Sequence, residues 1–559
     1  MFIFPISAAL AGEVLYNGIE LPDEWPPKNI PMARKPMPVP YLESRNIPKV
    51  IPIDVGRQLL VDDFLIDKTD LARTFHKATP YKGNPVLTYD QPWEIEEAYP
   101  YAGGMWYDAS DQLFKAWYNA GKGRWGASGV GYATSKDGIH WHKPSLDAAI
   151  KGTSCVLHGK SIDSTTIWLD YNAKSPEERF KMMYNRRHSD KSWHAEYRTS
   201  PDGIRWSPVL EQPETGNDFD LFCYNPFRKK WVYLQRTIIG GQQGRNPKSI
   251  GRARTYREGD NLRKLIAEAP YRCDDMEKSG PPKGSVLWCG SDDLDPRNPD
   301  KKWAHLKPQM YNLTPGAYES LMIGMFAIWT GPPNKVLYGG GQKRCDILMG
   351  FSRDGFHWDR SSRKRFISPS WKRGTWDYGN AQPVTNCSLV VGDKLYIYYS
   401  ARAWGHVDFK AATGLATLRR DGFASMDADK KTGTLTTRPL TFKGKYLFVN
   451  VDCPEGKLRA EVLDKDGNLI APFSLANSVP VKADSTLTEM TWKGGKDLSE
   501  LAGKPVRFRF HLKNGSLYAF WVSPAKSGAS HGYVAAGGPG FTRPTDTVGQ
   551  SAVWTRSQQ

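Results

Sequence analysis

An all-β fold is predicted by three observations. The segment Ser135–Trp141, reading Ser-Lys-Asp-Gly-Ile-His-Trp, returns at Ser200–Trp206 and Ser352–Trp358, and in reduced form at Arg419–Phe423. Five hydrophobic segments end in Tyr, at Tyr118, Tyr184, Tyr233, Tyr338 and Tyr398. No stretch between them carries the period of an amphipathic helix over a useful length. Repetition at a long period settles architecture before any single residue does. From Asp137 to Asp202, Asp354 and Asp421, the first and last steps match and the middle one is a little over twice as long. One copy is therefore degenerate there, and Arg252–Arg257 fills the gap. Five β units of this kind predict a five-bladed β-propeller followed by a C-terminal β-sandwich.

Each part of the chain has its own reason. Residues 1–50 begin with an apolar run ending in Ala9-Leu10-Ala11, similar to the hydrophobic part and cleavage box of an export signal, although no basic residues precede it. A secreted or periplasmic location is the corresponding expectation. A Pro-rich stretch follows, from Pro22 to Pro40, which opposes regular structure and predicts an extended surface strap. Residues 51–432 hold the five units, and Arg57–Ile66 is the expected ring-closing strand. Residues 433–525 alternate apolar and polar positions around the hairpin signal Asp464–Asn468, predicting the sandwich. Residues 526–559 are rich in Gly, Ser, Thr and Pro, predicting a loose tail.

The 559-residue chain is too long for one core, and its 40% hydrophobic and 24% charged content is that of a globular protein. A formal charge of +17 attracts anionic partners, but the basic residues are dispersed and form no nucleic-acid motif. No stretch is long and apolar enough to span a membrane. Seven Cys without a Cys-x-x-Cys pair imply neither a disulfide framework nor a zinc site of ordinary spacing. The 20 Trp and 26 Tyr serve mainly as sheet core, with a share left for stacking on sugar rings.

Carboxylates stand where the first strand of each unit is expected to begin: Glu97, Asp163, Asp218, Glu319 and Asp377. For each alone, a strand-end turn residue is the ordinary explanation. Five in register would converge on the axis, where like charges raise one another's pKa. That supplies one protonated and one ionised carboxyl, as glycosidic cleavage requires. No cofactor is required, and a structural calcium ion at the axis is compatible with the Asp oxygens. Asp62 and Asp63 are read as structural partners, and the pair His406 and Asp408 near Arg402 as a weaker candidate.

Five β units with an acidic axis resemble the five-bladed propeller glycosidases, the superfamily of glycoside hydrolase families 32, 43, 62 and 68. The strings Arg57–Ile66, Asn84–Leu87 and Leu418–Phe423 also resemble a bacterial group labelled family-32-like glycosidases. The resemblance implies an exo-acting glycosidase on a polysaccharide or oligosaccharide, and the positive charge favours an anionic glycan. By type and position it assigns Glu319 as general acid and Asp163 or Asp218 as base or nucleophile. Glu97, Asp377, Trp376, Tyr318, Arg402 and His406 are the expected substrate-binding residues. The family-32 motifs Trp-x-Asn-Asp-Pro-Asn and Arg-Asp-Pro are absent from the strand heads. A carbohydrate-binding propeller without catalysis and a polysaccharide lyase are the alternatives.

Overall fold

The computed structural model describes residues 12–552 except 29, 32, 122–126, 215–218, 241–249, 270–275, 277–279, 334–342 and 404–409. Among the described residues the chain is nearly all β, with one short helix at Leu262–Ala267. Five antiparallel groups follow one another. Group one holds Ala98–Asp108, Leu113–Ala120 and Ala127–Ser135. Group two holds Cys155–Leu169, Phe180–Arg187 and Trp193–Ser200. Group three runs from Leu221–Asn225 to Val286–Gly290. Group four holds Gln309–Glu319, Leu321–Gly331, Arg344–Ser352 and Arg365–Ile367. Group five holds Gly379–Thr385, Lys394–Ala403 and Lys410–Arg419. Gln309–Glu319 and Leu321–Gly331 are buried at every position, and the second reads as a nearly continuous apolar run without alternation.

The repeated Asp-Gly segments share one geometry. In the first copy Ser135 Oγ accepts from Gly138 N at 2.9 Å, and Asp137 Oδ1 accepts from Ile139 N and His140 N at 2.8 Å each. The copies at 200–205 and 352–357 repeat these bonds. The Gly takes a φ of 73°, 76° and 81° in the three copies, which a side chain would strain. Each turn then receives an aromatic donor from the preceding group. Trp117 Nε1 of group one donates to Gly203 O at 2.7 Å, and Trp288 Nε1 of group three to Phe356 O at 2.7 Å. Tyr398 of group five donates to Gly138 O of group one at 2.6 Å. The last contact joins the ends of the series. The motif is thus a fastener between groups, and its tightness requires Gly: a Cβ at Gly203 would lie 2.5 Å from the Trp117 ring.

The strand that joins group five from the N-terminal side is Thr79–Pro80, which pairs with Ala416 and Thr417. The expectation that Arg57–Ile66 closes the ring is corrected. Gln58–Leu59 pairs instead with Ala519–Phe520, and Ile66–Thr69 with Gly433–Thr437. These strands belong to two six-stranded sheets built from residues 51–75 and 424–523. The sheets share one core, in which Phe508 and Phe510 of one meet Phe520 of the other at 6.0 and 5.3 Å. The expected boundary at 432/433 therefore cuts through this unit, which takes strands from both sides of the five groups. Alternating strands look alike wherever they occur, so sequence pattern alone does not say which sheet recruits them.

The strap crosses groups three and four. Asn17 Nδ2 donates to Arg353 O at 2.9 Å, and Arg34 donates to Ile250 O and Pro308 O at 3.1 and 2.6 Å. The tail is not loose up to residue 552. Tyr533–Val534 pairs with Tyr318 and Glu319, and Tyr107 N donates to Ala536 O at 3.0 Å. Its glycines permit close approach to other backbone, as Gly538 does against Val390 O, where a Cβ would lie 1.8 Å away. The apolar start at residues 1–11 lies outside the described residues.

Candidate functional site

The first strands of the groups begin at one end of the molecule, here called the head end. Ala98, Gln309 and Gly379 open their strands there, while Arg402 arrives opposite Asn380. Glu97 is fixed just before its strand by a bridge to Ala411 and by its N–H on Glu94 O at 3.1 Å. Asp163 lies where Cys155–Leu169 passes from group one to group two, since Ile162 pairs with both Ala127 and Arg186. Asn119 Nδ2 donates to the Asp163 carbonyl and ties these two groups together at that point.

Between the two carboxylates lies a tyrosine cluster. The rings of Tyr99 and Tyr101 are 5.3 Å apart, Tyr101 meets Phe219 at 4.0 Å, and Phe219 meets Tyr311 at 5.4 Å. The hydroxyls of Tyr101 and Tyr311 are 3.3 Å apart, and Arg402 Nη2 donates to Tyr101 Oη at 3.0 Å. Lys343 Nζ sits 3.6 Å and Arg252 Cζ 5.0 Å from the Tyr311 ring centre, with Trp329 beyond them. Cations over ring faces are favourable when both are desolvated. Burial pushes the Tyr99 phenol well above its ordinary value; Glu97 and Asp163 push it further and Arg402 opposes them. Both carboxylates therefore act on the same buried phenol. Burial works against the Arg402 charge, but Tyr101, Tyr99 and Tyr311 outweigh it and hold the guanidinium above its ordinary value.

Glu319 stands elsewhere, and the expectation that it heads the first strand of its unit is corrected. It occupies the tight turn between Gln309–Glu319 and Leu321–Gly331, with φ at 49°. Tyr311 and Glu319 are eight residues apart along one strand, roughly 26 Å at ~3.3 Å per residue. At that far end Glu319 is fully buried in an ionic cluster. Arg420 Nη2 donates to it at 3.1 Å, Ser530 Oγ at 2.7 Å and Arg57 N at 3.1 Å. Arg420 also holds Asp546 at 2.9 Å, and Arg57 holds Asp421 at 2.9 Å while lying 4.2 Å over the Trp521 ring. Burial raises the Glu319 pKa against the pull of Arg420 and Arg57. Burial also opposes the charge on Asp421, yet Arg57 and Arg420 keep its pKa below the ordinary value. A Cβ at Gly532 would come within 2.1 Å of Glu319 Oε2, so the tail seals the cluster. Tyr318 belongs there too, its hydroxyl donating to Asp421 at 2.6 Å.

The other expected residues divide. Arg402 lies in the tyrosine cluster. Trp376 packs on Tyr399 at 5.9 Å within group five, and Asp377 accepts from Ser370 N at 3.2 Å, which fixes the loop before Gly379. Asp218, His406 and Asp408 lie outside the described residues. Asp62 is held by Arg353 through Nε and Nη2 at 2.8 Å, a structural pair. Among the described residues no three His, Cys, Asp or Glu side chains gather as a metal site. Tyr99, Tyr101, Tyr311, Arg252 and Lys343 were not anticipated. The alternation Glu97-x-Tyr99-x-Tyr101 carried the signal for two of them, because residues two apart share a strand face.

No family model matches the sequence, and neither does any curated protein sequence. Solved structures similar to the chain include a thermostable family-43 glycoside hydrolase, 12% identical, covering 55% of this chain and 86% of its own, with a TM-score of 0.36. A GH32 β-fructofuranosidase from Bombyx mori is 10% identical over 78% of this chain and 94% of its own, at 0.34. A β-1,2-mannobiose phosphorylase from Listeria innocua is 11% identical over 62% and 98%, at 0.37. Likeness at this level assigns no residue a role.

Proposed function

We propose that the chain is a glycoside hydrolase in which the five groups form a five-bladed propeller, the two six-stranded sheets form a sandwich packed on its far end, and the head-end cluster is the active site. The ring reading is supported by the turn fasteners, which pass from one group to the next and from group five back to group one. The observation that carries the catalytic reading is the placement of Glu97 and Asp163 beside Tyr99: Glu97 precedes it by two residues, and Asn119, the strand partner of Tyr99, donates to the Asp163 carbonyl. Glu97, almost fully buried, is assigned as the proton donor to the leaving oxygen. Asp163, half-buried, is assigned as the ionised base or nucleophile facing the developing positive charge. The aromatic lining supplies apolar faces for a sugar ring, and the neighbouring cations suit an acid-bearing sugar.

A lyase would draw on a tyrosine or histidine base. The Tyr99 phenol, raised chiefly by burial and further by Glu97 and Asp163, is poorly suited to that role. The test is a panel of plant and algal glycans, scored for released reducing sugar and for ultraviolet absorbance. Reducing ends without absorbance, lost in Asp163→Asn and Glu97→Gln, are expected. Absorbing products would replace the hydrolase with a lyase, and unchanged release in both variants would remove these residues from the mechanism.

A further inference from the structure

We propose that Trp371 is a rim platform on which a sugar ring of a longer glycan stacks, beyond the residues that carry out bond cleavage. Among the described residues seven large apolar side chains are exposed, and Trp371, at 44%, is the tryptophan of that set. A lone exposed apolar side chain is ordinary at a surface, but an indole held by a fixed cation on one face is built to contact something. Its place in the fold points to what that is. It lies in the connection between Arg365–Ile367 and Gly379–Thr385, beside the start of Arg344–Ser352, at the head end. Lys343, the residue before that strand, reaches the Tyr311 ring of the candidate site.

The indole is also held in position. Arg344 Cζ lies 4.0 Å from its ring centre and covers one face. That guanidinium is fixed in turn by a fork onto Asp346 at 3.0 and 2.7 Å and by Pro369 O at 3.2 Å. Arg365 braces the same carboxylate at 3.3 Å. The loop is closed by Gly379 N on Ser370 O at 3.0 Å and by Asp377 on Ser370 N. An exposed ring whose backing is this constrained loses little further freedom on binding, which is the condition for an effective stacking surface. Pyranose and furanose rings present flat C–H faces that match an indole, so the occupant is a sugar unit of an oligosaccharide or polysaccharide.

The inference rests on the carbohydrate reading above, and the test separates the two. Native gels cast with arabinan, arabinoxylan, levan, β-mannan or homogalacturonan are run with the full chain carrying Asp163→Asn, so that the polymer survives. At least one polymer is expected to retard it. Adding Trp371→Ala should weaken that affinity about tenfold, Trp371→Phe should restore most of it, and Leu469→Ala, an exposed side chain on the smaller unit, should change nothing. Equal retardation with and without Trp371, or retardation by none of the polymers, overturns the platform. Sugar release by the wild-type chain is scored separately. Release together with unaltered binding in Trp371→Ala overturns the platform and leaves the enzyme. Trp371-dependent binding without release sustains the platform and overturns catalysis.

Discussion

The two ends of the strand Gln309–Glu319 carry opposite solutions to the problem of buried charge. At the far end, Glu319, Asp421 and Asp546 meet Arg57 and Arg420, and all five side chains are within 2% of full burial. Three carboxylates share two guanidinium groups there, and burial raises the Glu319 pKa against the pull of Arg420 and Arg57. Ser530 and Tyr318 complete the hydrogen bonds. At the head end, Glu97 and Asp163 come from separate groups to a lining of tyrosines and cations. The comparison teaches that a carboxylate's burial does not distinguish structure from function. What differs is the company each keeps: arginines paired with carboxylates around Glu319, and tyrosine rings with cations over their faces near Glu97.

Substitutions at the two ends should separate cleanly. Asp163→Asn is expected to reduce turnover about 10²–10⁴-fold with little change in the urea midpoint. Glu319→Ala should do the reverse, lowering the unfolding free energy by about 3–5 kcal/mol because Arg57 and Arg420 lose a buried partner. Turnover per folded molecule should survive in that variant. A stable Glu319→Ala protein without activity would break the comparison and return this residue to the mechanism.

Between the ends, the turn fasteners set how well the groups hold together. Trp117→Phe keeps the ring but leaves Gly203 O without its donor, at a cost of about 2 kcal/mol read from the urea midpoint. A change below a few tenths would mean that the fastener is incidental. The smallest effect concerns acid. Burial opposes the Asp137 charge, but bonds from the His140 and Ile139 backbone and the His140 and Ser135 side chains bring its pKa from 3.8 down to about 2. The unfolded chain therefore takes up this proton first, so its contribution is present above about pH 4 and is lost as pH falls toward 2. Asp137→Asn should flatten the stability profile within that window, and an unchanged slope there would refute the linkage.

Much of the fold was legible because its signals are local. The Ser-x-Asp-Gly turn is built by bonds within four residues, so its three intact copies fold alike and are readable in the sequence. Glu97 stands just before its strand as expected, while Asp163 lies within Cys155–Leu169. Group four was misread at its first strand for a physical reason. Gln309–Glu319 and Leu321–Gly331 are both buried throughout, and the turn between them uses Glu319 and Ser320 without Gly, Asn or Pro to mark it. The second strand was taken for the first, which put Glu319 at a head it does not occupy.

The sequence by itself determined an all-β chain, its repeated turns and the residue types able to perform acid-base chemistry, since each depends on neighbours close along the chain. Tertiary structure alone decided that residues 51–75 join the smaller unit, that the tail packs up to residue 552, and which carboxylates are enclosed by arginines. Arg57, Glu319, Arg420 and Asp546 are separated by long stretches of sequence and meet only on folding. A carboxylate's chemistry is fixed by such partners, and no periodicity in the chain encodes them.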